Sequence, residues 1–417
     1  MSTKSFSILG KNLKANTAAD LQPYLDELKS MDDVEEVHFG GNSLGVEACQ
    51  AIAEVLKTKT QLKLVDLADI FTGRLISEIP QALSALCDAL STSTSLVELD
   101  LSDNAFGGRC ADAMVPFLEN NTSIQVFKLN NNGMGPAGGS VVAQALLRNG
   151  EKYEKEGKES NLRVLVCGRN RLENGSSADW AKAFAKHKNL REIRMIQNGI
   201  RMEGITNLAQ GLSNCPKLES IDFQDNTATK IGTRAIVKHL TSWPELKHLN
   251  LSDCLIGSKG GIALATALSK GSNPKLESLK LQYGEMDKTA IEILSVAITQ
   301  HLKELTTLEL NGNRFAEDDE CVEGLKRALA VWDHEDALDE LDDMEEPESG
   351  EEEEDVSDEE AEEENDDEEK ELEEEGEEGE DDGVAKGEDG KAALPPVSDK
   401  QADDLADLLA NAHIKAE

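Results

Sequence analysis

Apolar residues recur along most of this chain in one repeating arrangement, Leu-x-x-Leu-x-Leu-x-x-Asn. It is met at Leu96-Leu99-Leu101-Asn104, Ile124-Phe127-Leu129-Asn132, Leu162-Leu165-Cys167-Asn170, Leu190-Ile193-Met195-Asn198 and Leu218-Ile221-Phe223-Asn226. It returns at Leu246-Leu249-Leu251-Cys254 and Leu305-Leu308-Leu310-Asn313, while Leu276-Leu279-Leu281 carries Gly284 in the last slot. Copies beginning at Val34 and Leu62 place Asn42 and Ile70 there, and a degenerate copy ending at Asn12 is expected to cap the N-terminal end. Successive copies start 28, 34, 28, 38, 28, 28, 28, 30 and 29 residues apart. Alternation at period two predicts a short strand in each copy. Apolar spacing of three and four in the following stretch, as at Ile262, Ala265, Thr266 and Leu268, predicts a helix. Helices are expected over Gly204–Leu212 and Gly261–Lys270.

One strand, one turn and one helix in a unit near 28 residues is the pattern of a leucine-rich-repeat solenoid. The predicted fold is therefore α/β: a ribonuclease-inhibitor-like horseshoe of about 11 repeats, with a parallel sheet inside and helices outside. No unit can bury its core alone, so the array folds through contacts between neighbours. The recurring Asn turns inward, where its amide pairs backbone groups of the turn that would otherwise be buried unpaired. The organisation expected is a repeat domain over 1–333, a disordered acidic region over 334–396 and a short amphipathic segment over 397–417.

Two units are long, and repeats grow at their loops. The first gains residues around Asp69-Ile70-Phe71-Thr72-Gly73-Arg74, directly after a strand, so Arg74 is expected at the tip of a projecting loop; a solvated surface arginine fits equally well. The second gains Glu151–Ser160, a polar stretch read as a solvated bulge after the helix. The residues just before each ladder position are Gly41, Asp69, Asp103, Asn131, Arg169, Gln197, Asp225, Asp253, Tyr283 and Gly312. They need not face the core, and a mostly polar row on a rigid scaffold is a candidate protein-binding rim. Asn131 belongs to Asn130-Asn131-Asn132-Gly133, and turn propensity of Asn-Gly explains it as well as function does.

Charge divides the chain. The sequence holds 83 Asp/Glu and 42 Lys/Arg, net −41. From Glu335 onward there are 40 acids and 5 bases, so the remainder is close to balanced. Residues 335–382 contain 33 acids and one base, Lys370, and burial cannot offset such self-repulsion. The tail could attract basic partners or serve only solvation. Ser398 and Gln401 resemble a capping box ahead of Leu405, Leu408, Leu409 and Ala412, a helical spacing that suits a docking or export peptide. No nucleic-acid-binding surface is expected, because clustered Lys/Arg is lacking. No apolar run is long enough for a membrane helix. Residues 1–10 lack the apolar core of a signal peptide. The seven cysteines lie far apart without a CxxC pair, so the expectation is buried thiols, a reducing compartment and no zinc site. No phosphate-cradling GxxxxGK[ST], HExxH or GxSxG segment occurs. No cofactor and no self-contained active site are expected, and the residues alone point to a binding module.

Several segments nevertheless resemble one family. DIFTGR (69–74), LSDNAFG (101–107), NNGMGPAG (131–138), CGRNRLENGS (167–176), QNGIR (197–201) and LNGNRF (310–315) are similar to signatures of the Ran GTPase-activating proteins. LDELDDMEE (338–346), followed by an acidic run, is similar to the start of that family's tail. The chain resembles the fungal form, with no residues left for an animal-type SUMO-accepting domain or a plant-type targeting domain. The resemblance implies an activator, not itself an enzyme, that acts in trans on GTP-loaded Ran and supports nucleocytoplasmic transport. It implies that Ran's own catalytic glutamine is ordered without an arginine finger. Asn131 corresponds to the asparagine placed near that glutamine, and Arg74 to a supporting arginine. Asp69, Asp103, Asn104, Asn130, Arg169, Arg171, Gln197 and Asp225 are the partner-binding candidates. Where the fungal pattern often has a basic residue two positions after the arginine, Ile76 stands here. The implied partners are Ran and, as a further candidate, an accessory Ran-binding protein. A monomer in the cytoplasm, extending to the nuclear periphery, is expected. The acidic tail would speed encounter with a basic patch on Ran.

Two other classes share parts of this layout. Acidic-tailed repeat proteins that chaperone histones or inhibit phosphatases usually have shorter repeats. Inhibitors that wrap an enzyme with the concave face are richer in cysteine and lack an acidic tail.

Overall fold

A computed structural model describes residues 4–344 of the chain. The tail beyond 344, including the amphipathic segment expected over 397–417, lies outside the described residues.

Thirteen strands are described: β1 (Ser5–Ser7), β2 (Lys14–Ala15), β3 (Glu36–His38), β4 (Ser43–Leu44), β5 (Leu64–Asp66), β6 (Glu98–Asp100) and β7 (Val126–Lys128). They continue as β8 (Val164–Val166), β9 (Glu192–Arg194), β10 (Ser220–Asp222), β11 (His248–Asn250), β12 (Ser278–Lys280) and β13 (Thr307–Glu309). All but β2 and β4 form one sheet of 11 strands, whose spatial order is their chain order. Pairing is parallel, and the register joins equivalent residues: Leu99 opposite Phe127, Phe127 opposite Leu165, Leu165 opposite Ile193. The middle residue of each strand is buried and its neighbours are half-buried or exposed, as period two requires.

Eleven helices back the sheet: α1 (Gln22–Ser30), α2 (Val46–Leu56), α3 (Ile79–Leu90), α4 (Ala111–Asn120), α5 (Gly135–Lys155) and α6 (Ser177–Lys186). The others are α7 (Met202–Leu212), α8 (Thr229–His239), α9 (Gly257–Leu268), α10 (Lys288–His301) and α11 (Glu320–Ala330). The core between the layers is built of Leu, Ile, Val and Ala from each unit, closed by Phe106, Phe127, Trp180 and Trp243. Helices α7 and α9 begin at Met202 and Gly257, about half a turn and just over a turn ahead of the positions their spacing predicts, because the spacing registers only the apolar face.

The ladder both closes turns, as Asn104 Nδ2 does by donating to Leu101 O (2.9 Å) and Ser102 O (3.1 Å), and joins units. Oδ1 of Asn104 accepts the Ile70 N–H (2.9 Å), Oδ1 of Asn132 accepts the Asn104 N–H (3.0 Å) and Oδ1 of Asn170 accepts the Asn132 N–H (3.0 Å). The same amides donate backward to Leu67 O (2.9 Å), Leu101 O (3.0 Å) and Leu129 O (2.8 Å). Each asparagine thus satisfies a buried N–H and a buried carbonyl of the preceding unit, groups that would cost ~1–3 kcal/mol apiece if left unpaired. Cys254 fills the slot through its thiol, which donates to Phe223 O at 3.2 Å.

Three expectations are corrected. The polar insertion at 151–160 is not wholly a bulge. Helix α5 runs 21 residues, to Lys155. Glu, Lys and Tyr sustain it there, because Tyr153 is buried and donates its hydroxyl to Thr122 O (2.5 Å). Packing also does not stop at 333: Leu338 bridges Leu308, Ala337 and Leu341 are buried, and Asp339 Oδ1 accepts the Leu310 N–H at 2.8 Å. Residues 335–344 therefore cover the last strand, which would otherwise expose its hydrogen-bonding edge. At the other end β1 is the opposite edge of the sheet, but Asn12 is exposed and turns its amide to Gly10 O (3.1 Å), outside the ladder.

Candidate functional site

Where each strand leaves the sheet, the chain turns through a left-handed residue. Asp69, Asp103, Asn131, Arg169, Gln197, Asp225, Asp253 and Tyr283 all have φ between 50° and 60°, and Gly41 and Gly312 occupy the same position at 69° and 75°. This conformation costs an L-residue ~1–2 kcal/mol, least for Asn and Asp. It persists because the repeat over-determines it. The ladder residue that follows is buried and bonded, and the rim N–H is used as well: Asp103 N–H to Asn130 O (2.8 Å), Asn131 N–H to Gly168 O (2.9 Å) and Arg169 N–H to Ile196 O (2.8 Å). With the backbone spent on neighbours, the side chains of the row are set at the edge of the sheet.

The structure sorts the residues expected at the site. Asp103, Arg169, Arg171 and Gln197 are exposed, and Asp69, Asn130, Asn131 and Asp225 are half-buried; all are open to a partner. Asn104 is not. It is 4% exposed, and its amide is consumed by Ile70, Leu67 and Leu101 of the ladder, so it is withdrawn from the partner-binding set. The same pattern that identified it as a ladder residue explains why.

Asn131 and Asp103, on adjacent units, touch: Asn131 Nδ2 donates to Asp103 Oδ1 at 2.9 Å. Among the described residues Asn131 Oδ1 has no hydrogen-bond partner.

Arg74 does not project from a loop tip. Its guanidinium lies back across the preceding units, donating from Nη1 to Asn16 Oδ1 (2.6 Å) and from Nη2 to Ala15 O (2.9 Å) and Ser43 O (2.5 Å). Its Nη1 packs beside Gly45, where an added Cβ would come within 3.1 Å. Its charge also contributes to holding the Asp20 carboxyl below the usual range, after the Thr17 and Asn16 N–H bonds that do most of it. Arg74 therefore clamps the inserted loop to the N-terminal repeats, helped by the bridge from Phe71 to Ser43 and by Ser43 Oγ donating to Thr72 O (2.8 Å). The clamp leaves Leu75 and Ile76 exposed, at 66% and 47%. A cleft of about 390 Å³ opens between this loop and the rim, lined by Phe71, Thr72, Arg74, Ile76, Asp103 and Ala105.

Sequence spacing located the loop but gave no sign of Asn16 and Ser43, the residues that receive Arg74. On the open face of the sheet the ion pairs Lys128–Glu98 (2.5 Å) and Arg194–Glu192 (2.6 Å) flank the half-buried Val164 and Val166. Burial pushes the Asp222 carboxyl above its usual range there. Among the described residues no group of three His, Cys, Asp or Glu is placed to hold a metal ion.

Residues 92–114 and 244–265 match the Leucine Rich repeat family model. Over 330 residues the chain is 36% identical to Ran GTPase-activating protein 1 of Saccharomyces cerevisiae, covering 77% of this chain and 81% of that one. Over 197 residues it is 45% identical to Ran GTPase-activating protein 1 of Xenopus laevis, covering 46% of this chain and 34% of that relative. The ribonuclease inhibitor of Sus scrofa is 24% identical over 299 residues, covering 71% of this chain and 61% of that one, and shares the repeat architecture.

Proposed function

The chain belongs to the Ran GTPase-activating protein family, and we propose that it binds GTP-loaded Ran along the strand-exit rim and accelerates hydrolysis by placing Asn131 against Ran's own catalytic glutamine. The observation that carries this reading is the left-handed turn at Asn131. It lifts the side chain out of the ladder, beside the fully buried Asn132, and leaves the carboxamide oxygen without a partner. A rigidly held acceptor of that kind can fix a glutamine amide without reorganising at the moment of reaction. Asp69, Arg169, Arg171, Gln197 and Asp225 make up the surrounding contact surface, with Asn130 beside them on the open face.

Arg74 acts in this scheme by clamping the inserted loop, not by reaching phosphate. Freeing its guanidinium would forfeit three hydrogen bonds to its own chain. Among the partner-binding candidates, a trans-acting arginine finger would instead come from Arg169 or Arg171, which are exposed. The protein works as a monomer in the cytoplasm on this reading, with no cofactor, and an accessory Ran-binding protein can present the substrate.

The test is hydrolysis by GTP-loaded Ran under catalytic amounts of this protein. Glycine is the right replacement at 131, because Gly41 and Gly312 stand at the same rim position. Asn131→Gly is expected to lower kcat by ~10²-fold or more, the usual cost of removing a preorganised group. Arg74→Ala is expected to lower it by ~10–10²-fold, through displacement of the loop. A loss of ~10³–10⁵-fold on removing Arg169 or Arg171, with Asn131→Gly unaffected, is the signature of a finger and would overturn the scheme.

A further inference from the structure

We propose that Asp103 is a positioning residue for Asn131: it holds the carboxamide with its nitrogen turned inward and its oxygen turned to the partner. The inference rests on the function proposed above and assigns the acting atom of Asn131.

The two residues occupy one register position on neighbouring units, and both are held in the left-handed region, at 60° and 55°. Parallel strands lie ~4.8 Å apart, so successive rim side chains are within reach of each other. Their contact is the 2.9 Å bond from Asn131 Nδ2 to Asp103 Oδ1. A carboxylate only accepts, so the amide end facing it must be the NH₂ group. Reversing the amide would set oxygen against oxygen. A free carboxamide at an exposed rim has two orientations of similar energy; beside Asp103 it has one.

The bond acts on the oxygen in a second way. A charge-assisted bond at the nitrogen draws electron density toward the carbonyl, and bonded chains of this kind strengthen one another. Asn131 Oδ1 is thereby both aimed and made the better acceptor for the NH₂ group of a glutamine. Asp103 itself need not touch the partner. This differs from the role its place in the polar row suggests, that of one contact among several.

Kinetics of Ran-bound GTP hydrolysis separate the two roles. Asp103→Gly is tolerated by the backbone for the reason given for Asn131. It is expected to lower kcat by about 10-fold and to leave KM within about 2-fold, since orientation is lost and contact area is not. Asp103→Asn, which can pair with Asn131 in either sense, is expected to restore only part of the loss. In the Asn131→Gly background, Asp103→Gly should have no further effect on kcat, the non-additivity of residues acting as a unit. Circular dichroism of each variant should match the parent.

A rise in KM with kcat unchanged, or losses that multiply in the double variant, would overturn the assignment and make Asp103 a plain contact. If Asn131→Gly alone leaves kcat intact, the function proposed above fails first and takes this assignment with it. If Asn131→Gly is impaired and Asp103→Gly is not, only the present inference fails.

Discussion

Acid should loosen the middle of the solenoid through one histidine. His187 caps the C-terminal end of α6 and is 1% exposed. Its Nε2 lies 2.9 Å from Leu146 O and its Nδ1 2.6 Å from Ser160 Oγ. A carbonyl only accepts, so Nε2 carries the hydrogen and Nδ1 accepts the Ser160 hydroxyl. Ser160 Oγ in turn accepts the Leu162 N–H at 3.1 Å. The arrangement is complete for neutral imidazole, whereas a proton on Nδ1 would force the Ser160 hydroxyl to turn its own hydrogen away from the ring. Burial accordingly pushes His187 down from 6.5 to about 4. With the folded value below the unfolded one, the native state favours the neutral ring. This stabilisation is fully present above pH 6.5 and is lost as pH falls toward 4. Linkage puts the loss at about 2 kcal/mol by pH 5 and ~3 kcal/mol in full. The assay is urea unfolding at pH 7.5 and pH 5, with buried Trp180 on the same helix as the fluorescent probe. His187→Gln is the reference, because it cannot titrate and can still donate to Leu146 O. Carboxylates titrate in both proteins and cancel. The advantage of the parent over the variant should shrink by about 2 kcal/mol between the two pH values. Parallel pH dependence would refute the reasoning.

Asn132→Ala removes the partner of the Asn104 N–H and of Leu101 O at a fully buried site, and should cost ~3 kcal/mol in denaturant unfolding. Gly138→Ala should destabilise by ~1–3 kcal/mol in the same assay, because its Cβ would come within 2.7 Å of Gly108 Cα where α5 meets the preceding unit. The seven thiols are all buried. Burial pushes Cys110 and Cys321 up to about 11, Cys49, Cys167, Cys215 and Cys254 up to about 12, and Cys87 upward as well. The folded protein should thus be inert to a disulfide reagent at pH 8 for many minutes and titrate seven thiols once denatured, since only thiolate reacts.

Much of the architecture was legible because the repeat makes distant contacts local. Leu99, Phe127 and Leu165 each sit at the same place in their unit, and the parallel register simply pairs like with like. The strands, the helices behind them, the inward asparagines and the outward polar row all follow from that spacing. The rim candidates were read from position alone, and with Asn104 the position was misjudged, although its ladder slot already implied burial. The polar run after Gly150 hid a helical extension, since its one apolar anchor, Tyr153, carries no periodic signal.

What lay beyond the sequence is what breaks the period or depends on side-chain direction. Arg74 reaches Asn16, 58 residues earlier, through an inserted loop that no repeat unit templates. Asp339 closes the final strand from a segment whose composition reads as tail. The facing of the Asn131 amide toward Asp103 is decided by two left-handed turns brought side by side. By itself the sequence determined the fold, because apolar burial follows a period and every unit meets a copy of itself at a fixed offset. Only the tertiary structure decided which polar atoms are spent and which are left for a partner. A hydrogen bond depends on angles and on ångström distances that residue spacing does not carry.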